Sequence, residues 1–235
     1  MKMKKIGIIG AMESEVRSLV AQLTDVRETH SGNTVLYAGT LSGVAVVVVQ
    51  SGVGKVNAAL CAQRLILQHA VTHVVNTGIA GGVSANVGIM DVVISTDAVY
   101  HDVDAVYFGY QPTEIPQMAC SDFPADSGMI AAAERAFSEV LAGKRRMLKG
   151  RVASGDQFIA SAAEKERIRA RCHPLCVEME GAAVAHACWL NGIPFVIIRS
   201  ISDAADAAAG AASMFNEAVC AAESAALTAR LVAYV

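Results

Sequence analysis

The sequence predicts an α/β protein, because runs typical of buried strands alternate with segments typical of helices. The strand-like runs are hydrophobic and rich in β-branched residues almost without interruption, as in strands that helices cover on both faces. Ala-rich segments of helical length lie between these runs. This alternation along the chain is the pattern of the α/β class.

The predicted elements cover the chain from its first residues to its last. The predicted strands span residues 5–12, 44–54, 73–82, 91–100 and 194–203. The predicted helices span residues 13–23, 56–69, 127–142, 180–191 and 215–232. Residues 102–126 hold three prolines and no helical period, which predicts a long functional or interface loop where a partner subunit could touch.

The composition predicts one large globular domain that spans residues 1–235. Of the 235 residues, 54% are hydrophobic and 17% are charged, which is enough apolar material for a large core. The 19 basic and 22 acidic residues are scattered, which argues against DNA or RNA as a partner. The mean hydropathy is +0.42, but apolar stretches such as residues 44–49 fall far short of the ~20 residues that a membrane-spanning helix needs.

The start of the chain and its cysteines predict a cytoplasmic protein that holds no metal. Residues 1–5 are basic, yet the apolar run from Ile6 ends before Glu13, too early for a signal peptide. Six cysteines are too sparse for a disulfide scaffold, so we expect reduced thiols. Cys172 and Cys176 form the one cluster of potential ligands, but no second pair stands at zinc-like spacing, so we interpret them as packing residues.

Ligands of open α/β sheets bind beyond the carboxyl ends of the strands, so the predicted strand ends are the places to look for chemistry. Glycine-rich turns there bring backbone N–H groups close to a ligand, although each cluster alone is also what a tight turn requires. Residues 51–55 lack the spacing of an ATP-binding loop, and residues 7–12 lack the dinucleotide fingerprint. The ends with polar residues or glycine clusters lie at 10–15, 51–55, 76–82 and 199–203.

Carboxylates recur at or near these ends: Glu13, Glu15, Glu178, Glu180 and Asp203. For Glu13 and Glu15 a simple alternative is attraction to a helix N-terminus, worth about 0.3–1 kcal/mol each. Glu178 and Glu180, however, stand among small and apolar residues, where burial of charge is costly without a role.

In an extended segment, Glu178 and Glu180 would share one face, with Met179 on the other. Three or more carboxylates around a neutral ligand suit a cationic transition state. Cleavage of an N-glycosidic bond is such a reaction, because the ribose becomes an oxocarbenium ion.

Seven segments together resemble the bacterial 5′-methylthioadenosine/S-adenosylhomocysteine nucleosidases, a family of the purine/uridine phosphorylase superfamily. Single pieces recur across the superfamily, but the ordered set, from residue 5 to about 220, is specific to this family. The resemblance implies a three-layer α/β fold with a central mixed β-sheet flanked by helices. The segments are residues 6–16, 51–58, 76–82, 100–104, 154–159, 177–180 and 199–206.

The resemblance also implies the activity, which is hydrolysis of the adenine–ribose bond by a homodimer without a metal or an organic cofactor. The implied substrates are 5′-methylthioadenosine and S-adenosylhomocysteine, in methionine salvage and methyl-cycle detoxification. 5′-Deoxyadenosine and futalosine-like nucleosides stay open as substrates, because the sequence does not rank the 5′ substituents.

On matching positions, the resemblance implies a role for each acid. Asp203, next to Ser202, is expected to protonate adenine N7, and Glu15 is expected to hold and deprotonate the attacking water. Glu180, preceded by Glu178, is expected to accept hydrogen bonds from the ribose hydroxyls. Burial beside Ser202 is expected to help give Asp203 the raised pKa, or the strong hydrogen bond to N7, that its task requires.

The remaining implied contacts surround the nucleoside. Phe158 is expected to stack on adenine while the backbone of Ile159 contacts the edge of the base, and Phe215 is expected to close the 5′ pocket. Ile79 stands where many relatives have Ser, and residues 207–212 are about two residues longer than in relatives. The other implied contacts are Met179 and Arg199 at the ribose, Met12 and Val53 on the 5′ side, and Phe108 and Pro116 from the partner subunit.

Other interpretations remain open at this point. A nucleoside phosphorylase of the same fold would need Arg or backbone donors for its phosphate, and the glycine loops at 10–15 and 76–82 offer no Arg. A non-catalytic nucleoside-binding protein would keep the fold without turnover. As an alternative to substrate contacts, Met12, Met179 and Phe158 would be ordinary core residues. Arg199 would form an ion pair in the interior. His101, Asp102 and Asp104 favour a surface loop or a subunit contact over a metal site.

Overall fold

The computed structural model describes residues 4–235, so most of the basic start, residues 1–3, lies outside the described part of the chain. Within residues 4–235 the chain forms ten strands, six α-helices and one 3₁₀ turn at Val106–Phe108. The strands are β1 (Lys5–Gly10), β2 (Thr24–Ser31), β3 (Thr34–Leu41), β4 (Val44–Gln50), β5 (His73–Gly82), β6 (Val92–Tyr100), β7 (Asp122–Pro124), β8 (Met147–Ser154), β9 (Cys176–Glu178) and β10 (Phe195–Asp203). The helices are α1 (Glu13–Val20), α2 (Lys55–His69), α3 (Ser127–Val140), α4 (Ala162–Cys172), α5 (Gly181–Asn191) and α6 (Ala209–Val232).

The strands form one mixed sheet with a parallel centre. Strands β4, β1, β5 and β10 lie side by side in parallel, and β3 and β2 extend the β4 edge as an antiparallel hairpin. Beyond β10 the order continues through β6, β8 and β9, and β9 pairs back with β5. This part of the sheet therefore closes on itself, and the carboxyl ends of β1, β5 and β10 meet at one edge.

The central strands bury side chains on both faces, which explains their uninterrupted hydrophobic sequences. In β1, Ile6 and Ile8 pack on one face and Ile9 packs on the other; in β4, Val48 and Val49 do the same. Helices α1, α3 and α6 cover one face, and α2 and α5 cover the other. The three-layer architecture and the mixed sheet are confirmed.

The five predicted strands and five predicted helices are confirmed. Most of their ends differ by a few residues from the predicted ends. Helix α6 begins at Ala209, six residues before the predicted start at residue 215. The elements missed are β2, β3, β7, β8, β9 and α4. Strand β2 is exposed along nearly its whole length and α4 is highly charged, so neither carries the hydrophobic pattern of a core element.

The segment 102–126 is largely irregular, as predicted, but it contains the 3₁₀ turn and β7. Strand β7 pairs with β6 across the register Ala98 to Phe123, and the Phe123 side chain is fully buried. This short strand was not predicted, because the three prolines of the segment indicate irregular structure.

Between residues 4 and 235, none of the helices combines the length and the apolar character needed to cross a membrane. In the same range, no group of three or more His, Cys, Asp or Glu side chains could hold a metal ion. Cys172 and Cys176 are buried free thiols, in agreement with their interpretation as packing residues.

Candidate active site

A cavity of about 240 Å³ lies at the edge where β1, β5 and β10 end. It collects residues from segments far apart in the sequence, including all three carboxylates to which the resemblance gives main roles. Its lining residues are Ala11, Met12, Glu15, Val53, Ile79, Ala80, Gly81, Phe158, Val177, Glu178, Met179, Glu180, Ser202, Asp203, Ser213 and Glu217.

Glu15 stands in the first turn of α1, and three backbone N–H groups hold its carboxylate. Oε2 accepts from the N–H groups of Ala11 at 2.6 Å and Met12 at 2.9 Å, and Oε1 accepts from Ile79 N–H at 3.1 Å. Only 4% of the residue is exposed, and burial raises the pKa of Glu15 against the opposing effects of the Arg199 charge and these hydrogen bonds. The carboxylate is therefore fixed in orientation and easier to protonate than an exposed one.

Asp203 is the last residue of β10, and two residues close to it in the sequence donate hydrogen bonds to its carboxylate. Oδ1 accepts from Ala205 N–H at 2.9 Å, and Oδ2 accepts from Ser202 Oγ at 2.8 Å. With 2% of the residue exposed, burial raises the pKa of Asp203. The nearby Asp206 charge adds to this increase, whereas the hydrogen bonds from Ser202 and Ala205 stabilise the charged form and oppose it.

Glu180 precedes the first residue of α5 and reaches across to the turn before α2. Its Oε1 accepts from Gly54 N–H at 2.8 Å. The residue is 6% exposed, and burial, followed by the nearby Glu178 charge, raises its pKa. Since a glutamate side chain can accept further hydrogen bonds, the remaining acceptor positions of Glu180 are available to a ligand in the cavity.

Glu178 also lines the cavity, but its oxygens are occupied by the protein. They accept from the backbone N–H of Gly181 at 2.7 and 3.0 Å, from the Ser154 hydroxyl and from the Arg199 guanidinium. Arg199 is 2% exposed and donates also to Asn76 Oδ1 at 2.5 Å. Arg199 is thus an interior ion-pair partner of Glu178 and is not among the lining residues, which matches the alternative that the sequence left open for it.

Strand alternation would place Met179 opposite Glu178 and Glu180, whereas the resemblance places it at the ribose. Strand β9 ends at Glu178, and the chain bends there before α5 begins at Gly181. Because the segment is not extended beyond Glu178, strand alternation does not apply, and Met179 lines the same cavity as both acids.

The arrangement combines an apolar wall with carboxylates and no lining cation. Met12, Val53, Ile79, Phe158 and Met179 supply the apolar surface. Among residues 4–235, no Lys or Arg lines this cavity. Such a site favours an uncharged ligand with an apolar part and can donate or accept protons through its acids.

A larger groove of about 440 Å³ lies beside α1, β3 and β4. It is lined by exposed polar residues such as Glu13 and Arg17 and gathers no cluster of buried acids. Volume alone favours this groove, but the concentration of buried titratable groups identifies the smaller cavity as the candidate active site.

Comparison with known proteins agrees with this geometry. The sequence pattern of the phosphorylase superfamily matches residues 5–235. A 5′-methylthioadenosine/S-adenosylhomocysteine nucleosidase from Actinobacillus succinogenes is 43% identical over 208 residues, which is 88% of each chain. The chain belongs to this nucleosidase family.

Solved structures of family members have the same fold. The Neisseria meningitidis nucleosidase in complex with methylthio-immucillin-A has a TM-score of 0.94 and 37% identity, with 99% of this chain and 100% of that chain covered. The Colwellia psychrerythraea nucleosidase in complex with adenine has a TM-score of 0.93 and 38% identity, with 98% of this chain and 95% of that chain covered.

Besides Arg199, four residues that the resemblance to the nucleosidase family singles out lie outside the cavity lining. Ile159 lines a small adjoining cleft of about 30 Å³ together with Phe158 and Asp203. Phe215 is 87% exposed and Phe108 is 77% exposed, while Pro116 is also exposed. Their predicted contacts with a nucleoside remain predictions.

The sequence did not single out two polar residues of α6 that line the nucleosidase cavity, Ser213 and Glu217. Glu217 accepts a hydrogen bond from Ser14 Oγ at 2.8 Å, which joins α6 to α1. The only sequence signal for these two residues was the Ala-rich segment 209–214. This segment indicates that α6 begins earlier than predicted and so reaches the cavity. Asn76 was also missed as a partner of Arg199, because the two are 123 positions apart.

Proposed function

We propose that this protein hydrolyses the N-glycosidic bond of 5′-methylthioadenosine and S-adenosylhomocysteine, releasing adenine and the 5′-substituted ribose. The observation that carries the proposal is the gathering of Glu15, Glu180 and Asp203 in one cavity, with the pKa of each acid raised by burial. The names of the related proteins support the substrate class. 5′-Deoxyadenosine is a further candidate substrate, because the proposed chemistry does not involve the sulfur.

Asp203 acts as the general acid in this proposal. Its raised pKa favours the protonated form, which donates its proton to adenine N7. The bonding electron pair of the C–N bond then leaves with adenine, which departs as a neutral base. The hydrogen bonds from Ala205 N–H and the Ser202 hydroxyl keep the carboxyl group in place as it loses the proton.

Glu15 acts as the general base. In its ionised form it accepts a proton from a water molecule whose oxygen attacks ribose C1′, so that the products are adenine and the free sugar. The three N–H donors around Glu15 fix the carboxylate and stabilise its charged form, which opposes the effect of burial. The carboxylate is therefore oriented before substrate arrives.

Glu180 and its neighbours position the sugar and the base. Glu180 accepts hydrogen bonds from the ribose hydroxyls, and its negative charge stabilises the positive charge that develops on the sugar. Met179 packs against the sugar, Phe158 stacks on adenine, and the backbone of Ile159 contacts the base edge. Met12 and Val53 contact the sugar and the 5′ group, and Ile79 lines the cavity beside Glu15, to which its N–H donates.

We infer also that the active form is a homodimer in which Phe108 and Pro116 contact the 5′ group bound by the partner subunit, while Phe215 closes the pocket within its own subunit. The side chains of Phe108 and Phe215 are exposed in the single chain, which supports a role in covering a bound substrate. The six cysteines are free thiols, which supports a reducing compartment such as the cytoplasm. There the reaction would serve methionine salvage and removal of S-adenosylhomocysteine.

Phosphorolysis is the main competing reaction for this fold. A phosphate dianion would need cationic or backbone donors, and no cation lines the cavity between residues 4 and 235. The buried guanidinium of Arg199 is engaged by Glu178 and Asn76. Water is therefore the better nucleophile.

The proposal is tested by measuring adenine release from 5′-methylthioadenosine with and without inorganic phosphate. We expect equal rates in both conditions. We also expect Asp203→Asn to lower kcat by about 100-fold or more, since it removes the general acid, while nucleoside affinity changes by less than about 10-fold.

Asp126→Asn is the matched control, because Asn is also a good N-cap for α3 and should leave kcat unchanged. Strict dependence on phosphate would establish a phosphorylase instead. Binding of adenine nucleosides by the wild-type protein without any release of adenine would establish a binding protein.

A further inference from the structure

Three charged side chains outside the cavity join three segments that surround it. Lys55 Nζ lies 2.5 Å from Asp102 Oδ2 and 3.7 Å from Asp156 Oδ2. The backbone N–H of Lys55 donates to Asp156 Oδ1 at 2.8 Å, and Asp156 N–H donates to Asp102 Oδ2 at 3.1 Å. We call Lys55, Asp102 and Asp156 the clamp.

Each member of the clamp stands next to a part of the proposed site. Lys55 directly follows Gly54, whose N–H donates to Glu180 on the ribose side. Asp156 lies two residues before Phe158, which lines the cavity on the proposed adenine side. Asp102 follows β6 and begins the long segment that carries Phe108.

The clamp is the main polar connection between the α2 start and the loop after β8. Helix α2 has Gly54 at its N-cap and no side-chain cap from its own sequence, so the Asp156 carboxylate accepts the Lys55 N–H that would otherwise lack a partner. Lys55 Nζ also lies 5.4 Å from the centre of the Tyr100 ring. Lys55 thus receives contacts from β6 and from both neighbouring loops.

Lys55 places one positive charge next to two carboxylates that are close together. The side chains of Lys55 and Asp102 are only 24% and 20% exposed, so water screens their interaction incompletely. If the lysine charge is removed, Asp102 and Asp156 repel each other, and the loop that contains Asp156 is the exposed one that can move away.

His101 packs against the loop after β8, which contains Gly155 and Asp156. Its ring is buried, and a Cβ placed on Gly155 would lie 2.4 Å from His101 Cε1. The loop therefore rests on His101 at Gly155 and is held by charge at Asp156, immediately before Phe158. These contacts leave Lys55 as the cation that fixes the position of the loop relative to Glu180.

We propose that Lys55 is a positioning residue that sets the distance between the adenine side and the ribose side of the site by clamping Asp102 and Asp156. The inference rests on the proposed nucleosidase function. A shift of about 1 Å in a substrate-positioning group can lower the rate about 100-fold. We therefore expect loss of Lys55 to affect substrate binding and turnover.

The test compares Lys55→Met, Lys55→Arg and Lys149→Met. Lys149 forms a similar ion pair with Glu134 at 2.6 Å, away from the cavity lining, and is the matched control. We expect Lys55→Met to raise KM for 5′-methylthioadenosine about 10-fold and to lower kcat less. Lys55→Arg should restore KM to within about 3-fold of wild type, because the charge is kept. Lys149→Met should leave both constants unchanged.

Hydrogen exchange of residues 154–161 provides a readout that does not depend on activity. Lys55→Met should speed exchange in this loop about 10-fold, and Lys149→Met should not. An unchanged KM and unchanged exchange in Lys55→Met would overturn the inference, as would equal losses in Lys55→Met and Lys55→Arg. If the wild-type protein released no adenine, the proposed function would fail, while the exchange measurement would still decide whether Lys55 holds the loop.

Discussion

At the scale of single residues, the cavity acids are held by the protein itself before any ligand binds. Glu15 accepts three backbone N–H bonds, Asp203 accepts one backbone and one hydroxyl bond, and Glu180 accepts one backbone bond. These bonds stabilise the charged forms, while burial favours the neutral forms. The balance leaves all three pKa values raised, so each acid is easier to protonate than an exposed carboxyl group.

The raised pKa of Glu180 predicts a pH-dependent effect of Glu180→Gln on stability. A carboxyl group with a higher pKa in the folded state binds protons more tightly there, so its favourable contribution is present at low pH and is lost as pH rises through the folded pKa. A glutamine stays neutral at every pH. We expect the stability of the variant relative to the wild type to increase by about 1–3 kcal/mol from pH 5 to pH 8.

The measurement is thermal unfolding of both proteins from pH 5 to pH 9 at one protein concentration, since subunit association also affects Tm. Glu166→Gln, on the exposed face of α4 and outside the cavity lining, is the control for loss of a carboxylate. A constant Tm difference between Glu180→Gln and the wild type across this pH range would contradict the prediction.

At the scale of elements, parallel pairing of β1, β5 and β10 brings their carboxyl ends together, and small residues make room for the acids there. Gly78, in β5, lies against Glu15: a Cβ at this position would stand 2.3 Å from Oε1. A side chain larger than hydrogen therefore displaces the carboxylate or the strand. The glycines at residues 76–82 lie within β5, so they serve close packing and not a tight turn.

Gly78→Ala is expected to displace Glu15 and lower kcat by about 10–100-fold, with a loss of about 1–3 kcal/mol of stability from overpacking. Steady-state kinetics and chemical unfolding measure the two effects. Gly210→Ala is the control, because a Cβ there meets nothing within 4 Å and an alanine suits the start of α6.

If Gly78→Ala does not fold, Gly81→Ala tests the same principle, since its Cβ would lie 2.7 Å from Asp203 Oδ1. Wild-type kcat in a folded variant of either glycine would show that the acids do not need these close contacts.

At the scale of the whole molecule, exposed apolar side chains are concentrated on a few elements. Val56, Leu60 and Leu67 are exposed on α2, and Tyr107 and Phe108 are exposed on the 3₁₀ turn. Such surfaces are typical of subunit interfaces. They support the proposed homodimer with Phe108 inserted beside the neighbouring site.

A mixing experiment tests whether Phe108 serves the partner subunit. Phe108→Ala is expected to lower kcat/KM for 5′-methylthioadenosine about 10-fold, by loss of apolar contact, and Asp203→Asn is expected to be nearly inactive. In a mixed dimer, one site combines the intact Asp203 of one chain with the intact Phe108 of the other.

Subunit exchange between the two variants should therefore raise activity to about a quarter of the wild-type value at equal total protein. A mass of one chain in light scattering, or activity of the mixture that equals the mean of the two variants, would contradict the prediction. Wild-type protein mixed with Asp203→Asn controls for effects of exchange itself.

The sequence by itself determined the α/β class, five strands, five helices and the acids that the cavity contains. Strands such as residues 73–82 can be predicted from their local hydrophobic sequence. The ordered motifs that resemble the nucleosidase family indicated Glu15, Glu180 and Asp203. Only the tertiary structure decided that Arg199 pairs with Glu178 and that Glu217 reaches the cavity from α6. The physical reason is that periodicity reports which side chains are buried, whereas their partners depend on contacts between segments far apart in the chain.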